Sequence, residues 1–244
     1  MKNSLSSIYL PFFDNHPNKF LDEQILNNTY LLNDDFQKLC SNLDLEKKWS
    51  KESALNIEIK KSIIRSKLRY SEGSINLINS INNYFKKNVK DSFGLVRYFT
   101  DVYPMIHLPN DYSEYGTMHC DQIDFNRLIT IWHPITDYNY TGISYISSFG
   151  FILMLIARTL KKNNLSKKNF PKFLVKNLAP KYGYTYYWGG GLPHQGNLNT
   201  SDIPSCVLVI RYTEKPHNYE KCYNINTYAN RDKSDDINIL SLNK

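Results

Sequence analysis

Beyond Gly94 the chain is cut into short runs of β-branched and aromatic residues, and this pattern limits the fold more than any other feature. Leu95 to Tyr103, Leu128 to Trp132, Ile143 to Ile146, Tyr184 to Trp188 and Cys206 to Tyr212 all have this texture. Such residues suit a pleated, half-buried surface. Pro, Gly and Asn turns separate the runs, which points to a β-sandwich or barrel. The earlier part reads differently. From about Asn33 to Lys87 apolar residues recur at mixed three- and four-residue steps: Leu43, Leu45 and Trp49 begin the pattern, Ile57, Ile59, Ile63, Ile64 and Leu68 continue it, and Ile75, Leu77, Ile78, Ile81 and Phe85 follow. That spacing predicts helices supporting one sheet. Ser71-Glu72-Gly73-Ser74 breaks the run, and Ser74 is the expected cap of the second helix.

Two further helices are expected inside the β region, over Phe149 to Leu160 and Phe170 to Leu178, as an insertion at about 149–178. The whole is expected to form a single domain over 1–244, with helical support at 33–90 and a catalytic core at 94–213. The 244 residues are ample for a real hydrophobic core.

Formal net charge is +7. Its lysines are dispersed and carry no zinc-finger, RNP or helix-turn-helix signature, so no nucleic-acid partner is expected and a solvated basic face is. A polar or anionic small molecule is the expected substrate. Cys40, Cys120, Cys206 and Cys222 form no CxxC pair, which favours a reducing cytoplasm over a disulfide scaffold. The longest apolar run, Phe149 to Ala157, falls well short of the roughly 20 residues that span a bilayer. No membrane association is expected.

The chemistry-bearing residues are His119, Asp121 and His194. On an extended strand His119 and Asp121 project to one face while Cys120 points away, so the pair can chelate one ion without distorting the backbone. His194 follows 75 positions later (194 − 119), after Gly189-Gly190-Gly191-Leu192-Pro193. Two imidazoles and one carboxylate make the facial triad of non-haem Fe(II) oxygenases, which leaves positions open for a co-substrate and O₂. His107, His133 and His217 have no partner at ligand spacing and read as structural, with His133 capping a turn before Pro134. Trp188 and Tyr186 alternate onto one strand face, where they either pack the core or line a substrate pocket together with Tyr115 and Gln122 beside the HxD pair.

In order and spacing, His119-Cys120-Asp121, Trp132, Thr141-Gly142-Ile143, Gly183, His194 and Asn199-Thr200-Ser201 resemble the phytanoyl-CoA dioxygenase-like branch of the Fe(II)/2-oxoglutarate-dependent oxygenases. The resemblance spans about Gly94 to Thr213, half of the chain. It implies a mainly β fold with flanking helices around a double-stranded β-helix, the jelly roll shared with cupins. It also implies Fe(II), 2-oxoglutarate and O₂, with oxidation of a C–H bond and release of succinate and CO₂. The branch anchors the far carboxylate of 2-oxoglutarate with an Arg eleven residues after the distal His. Ser205 stands there in this chain, and Arg211, six residues on and on the same strand face, is the expected anchor, with Arg97 and Arg127 in reserve. A cupin-like metalloenzyme that does not use 2-oxoglutarate, and a non-catalytic jelly-roll binding protein, are the alternatives.

Overall fold

The computed structural model describes residues 17–45, 54–69, 71–88, 98–110, 118–121, 128–136, 142–146, 156, 160 and 167–213. The elements run β1 (Asn18–Leu21), α1 (Glu23–Asn42), α2 (Ala54–Arg69), α3 (Glu72–Asn88), β2 (Tyr98–His107), β3 (Leu128–Pro134), β4 (Ile143–Ile146), β5 (Val175–Leu178), β6 (Tyr184–Gly189), β7 (His194–Gly196) and β8 (Ser205–Thr213). Antiparallel pairing makes a five-stranded sheet in the order β1-β6-β3-β8-β2 and a three-stranded sheet in the order β5-β4-β7.

Alternation along β8 shows how the layers are built. Cys206, Leu208, Ile210 and Tyr212 join the core shared with Ile25, Leu32 and Phe36 of α1, Ile57, Ile64 and Leu68 of α2, and Leu77, Ile78 and Ile81 of α3. Val207 and Val209 face the other way. They pack with Trp132, Tyr186 and Trp188 against Ile143, Tyr145 and Leu192, so a second core fills the space between the sheets. The three helices therefore cover one face of the major sheet, and the minor sheet covers the other. This is the jelly-roll arrangement with outer helices. Pro104, which lacks an N–H for the ladder, sits in β2, an edge strand where that loss is tolerated.

Three sequence expectations are corrected. The first helix begins at Glu23, ten residues before Asn33, and a strand precedes it. Its buried face is Ile25, Thr29, Leu32 and Phe36, and the polar Thr29 among many Asn residues hides the stripe. Asp22 caps it, accepting from Gln24 N at 3.0 Å and Ile25 N at 3.1 Å. The third helix is capped by Ser71 rather than Ser74, because the Ser71 hydroxyl accepts from Ser74 N at 3.1 Å. Phe170 to Leu178 is not helical: a 3-10 turn (Lys167–Asn169) leads into β5, which pairs with β4. Ladder pairing overrides local preference there. The expected helix from Phe149 to Leu160 lies largely outside the described residues. None of the described helices is long and apolar enough to cross a membrane.

Candidate metal centre

His194 opens β7 on the minor sheet, and His119 extends that sheet by one isolated antiparallel bridge to it. The two residues exchange both main-chain hydrogen bonds, at 2.9 and 2.8 Å. Directly opposed residues present side chains on one face, so the imidazoles meet with ring centroids 4.5 Å apart. Asp121 lies two residues beyond His119 and turns inward to the same place. Its Oδ1 is 3.8 Å from His119 Nε2 and its Oδ2 is 3.7 Å from His194 Nε2.

One candidate ligand atom from each of the three lies within 4.8 Å of the others. Nitrogen and oxygen donors bound to one ion at about 2.0–2.2 Å stand roughly 3–3.5 Å apart, so the set closes on an ion with small side-chain shifts. The His119 side chain is 43% exposed while those of His194 and Asp121 are 10% and 4% exposed, which places the open side of the centre at His119.

The electrostatics suit a cation. His194 Nδ1 lies 3.1 Å from the Leu192 carbonyl. A proton there makes Nδ1 the donor and leaves the Nε2 lone pair free for a metal. Burial, the largest influence, drives the His194 pKa down to about 4, so the ring is neutral at ordinary pH. For Asp121, burial by itself would push the pKa up. The Arg211 guanidinium, both imidazoles and the Thr130 hydroxyl outweigh it and hold the carboxyl well below the usual carboxylate range. Arg211 Nη2 donates to Asp121 Oδ1 at 3.1 Å, and Thr130 Oγ1 donates to Oδ2 at 2.6 Å.

The sheet registers place these contacts. Trp188 of β6, Thr130 of β3 and Arg211 of β8 are ladder partners in one row across the major sheet. Trp188 meets His194 edge-on, with centroids 5.3 Å apart, and its buried indole Nε1 has no hydrogen-bond partner among the described residues. Tyr186 lies one layer deeper beside Trp132, and its hydroxyl accepts from Lys181 N at 2.9 Å. Ser205 shares the inward face with Arg211 but starts β8 opposite His107, roughly 20 Å along the strand, and its buried hydroxyl has no partner among the described residues. The structure therefore brings His119, Asp121, His194, Arg211 and Trp188 together and leaves Ser205 and Tyr186 away from them. Tyr115, Gln122, Arg97 and Arg127 lie outside the described residues.

One residue is placed differently from its sequence reading. His133 caps no turn; it is buried in β3, 2.8 Å from Thr29 Oγ1 of α1 and 2.8 Å from Thr185 Oγ1 of β6. Thr130, two residues before the inward Trp132 on β3, projects to the same face and carries no motif that marks it. Cys120 does point away from the centre, toward the Gly191 carbonyl at 3.4 Å. A cavity of about 410 Å³ lined by Lys167, Lys168, Phe170, Lys172, Val175 and Asn177 lies elsewhere. Asn177 is the ladder partner of Ser144, next to the inward Tyr145, which puts that cavity on the outer face of the minor sheet.

No protein-family model and no curated protein matches the chain. Among solved structures it is similar to the apo form of ThoJ, a non-haem monooxygenase, with a TM-score of 0.50, 12% identity, and 82% of this chain and 74% of that one covered. HygX from Streptomyces hygroscopicus, solved with iron bound, gives 0.48 at 10% identity, covering 88% of each chain. EvdO2 from Micromonospora carbonacea var. aurantiaca gives 0.47 at 12% identity, covering 86% of this chain and 93% of its own. The likeness to ThoJ is one of fold, the jelly roll with outer helices.

Proposed function

We propose that the protein is an Fe(II)-dependent oxygenase that takes 2-oxoglutarate as co-substrate and oxidises a C–H bond of a polar small molecule. The observation that carries this reading is the His119, Asp121 and His194 cluster, its ligand atoms within 4.8 Å of one another, at the mouth of a jelly roll. Two nitrogens and one carboxylate oxygen on one side of an ion fit ferrous iron, and they leave positions for further ligands.

Charge supports an anionic co-substrate. Asp121 and Arg211 cancel each other, and the imidazoles must be neutral to bind metal. A divalent ion then leaves a net charge of about +2 in a largely buried centre, which is costly unless balanced. A 2-oxo dicarboxylate balances it. Arg211 is the described cation nearest the triad and offers the carboxylate a planar fork.

When bound, iron and 2-oxoglutarate supply the oxidising power, with succinate and CO₂ as co-products. The chain's own residues do the rest. His119, Asp121 and His194 hold the ion, Thr130 and Arg211 orient the carboxylate ligand, and Trp188, Leu192 and Tyr145 keep water from the deep side. The open edge of the site at His119 is the proposed entry for substrate.

A second reading, a metalloenzyme of this fold that does not use 2-oxoglutarate, draws on the barrel behind the centre. Trp132, Tyr186, Val207 and Val209 make that interior apolar, and Ser205 places no cation there. Anaerobic loading with Fe(II), then addition of 2-oxoglutarate and air, tests the choice. Succinate release above that of the metal-free protein is expected. Metal binding without succinate would move the assignment to the second reading, and absence of Fe(II) or Mn(II) binding would end both.

A further inference from the structure

We propose that Thr130 is a positioning residue of the metal centre, clamping Asp121 to the major sheet so that the carboxylate meets the ion in one fixed rotation. The inference rests on the metal reading above. The two imidazoles belong to the minor sheet, through the His119–His194 pair. Asp121 is held from the opposite sheet. Thr130 Oγ1 takes Oδ2 at 2.6 Å, and Arg211, its ladder partner on β8, takes Oδ1 at 3.1 Å.

Each carboxylate oxygen thus carries one donor from the major sheet and faces one imidazole of the minor sheet. An ionised oxygen accepts more than one contact, so the donors and an ion can share it. Thr130 is 1% exposed, which shields this short charge-assisted bond from water. Arg211 contributes charge, but the guanidinium also repels an incoming cation. The neutral hydroxyl orients without that repulsion. Donors that fix ligating carboxylates typically change metal affinity by about 10–100-fold when removed.

Three full-length proteins test the proposal: the unaltered chain, Thr130→Val and Thr130→Ser. Mn(II) affinity is titrated without oxygen, and metal-free thermal unfolding is followed in parallel. Thr130→Val keeps the shape of the side chain and should bind Mn(II) roughly tenfold or more weakly, with metal-free unfolding lowered less than in Asp121→Ala because Arg211 still holds the other carboxylate oxygen. Thr130→Ser restores the hydroxyl and should recover most of that loss.

Unaltered affinity in Thr130→Val, or a serine variant as weak as the valine one, would overturn the clamp. An unaltered chain that binds Mn(II) with Thr130-dependent affinity but releases no succinate would sink the oxygenase reading and leave the clamp standing. An unaltered chain that binds no Mn(II) would remove both.

Discussion

His119 and His194 are joined through their main chains rather than their side chains, exchanging N–H to carbonyl bonds of 2.9 and 2.8 Å. The position of the centre is therefore written into backbone pairing, and both imidazoles face Asp121 as candidate ligands. His119→Ala should keep the bridge, since alanine makes the same main-chain bonds. With 43% of the histidine side chain exposed, unfolding free energy should move by no more than about 0.5 kcal/mol. Mn(II) affinity should collapse. Calorimetric titration beside thermal unfolding checks the split, and a variant that binds metal normally would remove His119 from the ligand set.

Asp121 should behave differently, because it is also the counter-ion of Arg211, whose side chain is 19% exposed. Asp121→Ala leaves a guanidinium and the Thr130 hydroxyl without their shared acceptor in a buried place. A loss of about 1–3 kcal/mol in the metal-free protein is expected on top of lost metal binding. Urea unfolding measures it. Equal stability in the two ligand variants would mean that the Asp121 contacts contribute nothing to the fold.

The parts of the site legible in the sequence were those whose spacing is a strand property. His119 and Asp121 are two apart, and Arg211 keeps the parity of the inward face of β8. Thr130 was hidden because nothing in a threonine two residues before a tryptophan marks it as a carboxylate partner. Only the register of β3 against β8 shows that. In the fold, the strands with continuous β-branched runs were readable. β1 is four residues long and pairs with β6 over more than 160 positions of sequence, and β5 owes its state to β4. Both depend on long-range ladders that local pattern does not carry.

Arg211→Gln tests the co-substrate side of the centre. The amide can still meet Asp121 Oδ1 but carries no charge. Losing a charge-assisted carboxylate contact is worth roughly 1.5–3 kcal/mol, so 2-oxoglutarate should bind the Mn(II)-loaded variant more than tenfold more weakly. The Asp121 carboxyl should titrate at higher pH once its strongest favourable neighbour is gone. Unchanged 2-oxoglutarate affinity would leave the anchoring role to Arg97 or Arg127.

Gly142 shows why a glycine stands before β4. Its φ is +67°, and a Cβ there would lie 1.9 Å from the Leu178 carbonyl oxygen of β5. Gly142→Ala combines a left-handed backbone cost of about 1–2 kcal/mol with displacement of the strand that pairs with β4. A loss of at least about 2 kcal/mol in urea unfolding is expected. An alanine variant as stable as the unaltered chain would show that the β4–β5 ladder gives way freely.

His133 makes stability depend on pH in a way separable from the metal centre. Burial drives its pKa from 6.5 to about 3, and Thr29 and Thr185 bracket the neutral ring at 2.8 Å each. Between pH 6.5 and 3 the unfolded chain holds a proton on this residue that the folded chain refuses. Unfolding free energy must therefore fall as pH drops through that window, by about 1.4 kcal/mol per unit, and be fully retained above it. His194, also lowered, to about 4, adds a slope of the same sign in the metal-free protein, so the informative quantity is a difference. His133→Gln can bond both threonines without titrating. It should lose about one proton's worth of slope relative to the unaltered chain between pH 6 and 4. If the two stability curves run parallel across that range, His133 is charged inside the fold and its bridge between α1 and the sheet is of another kind.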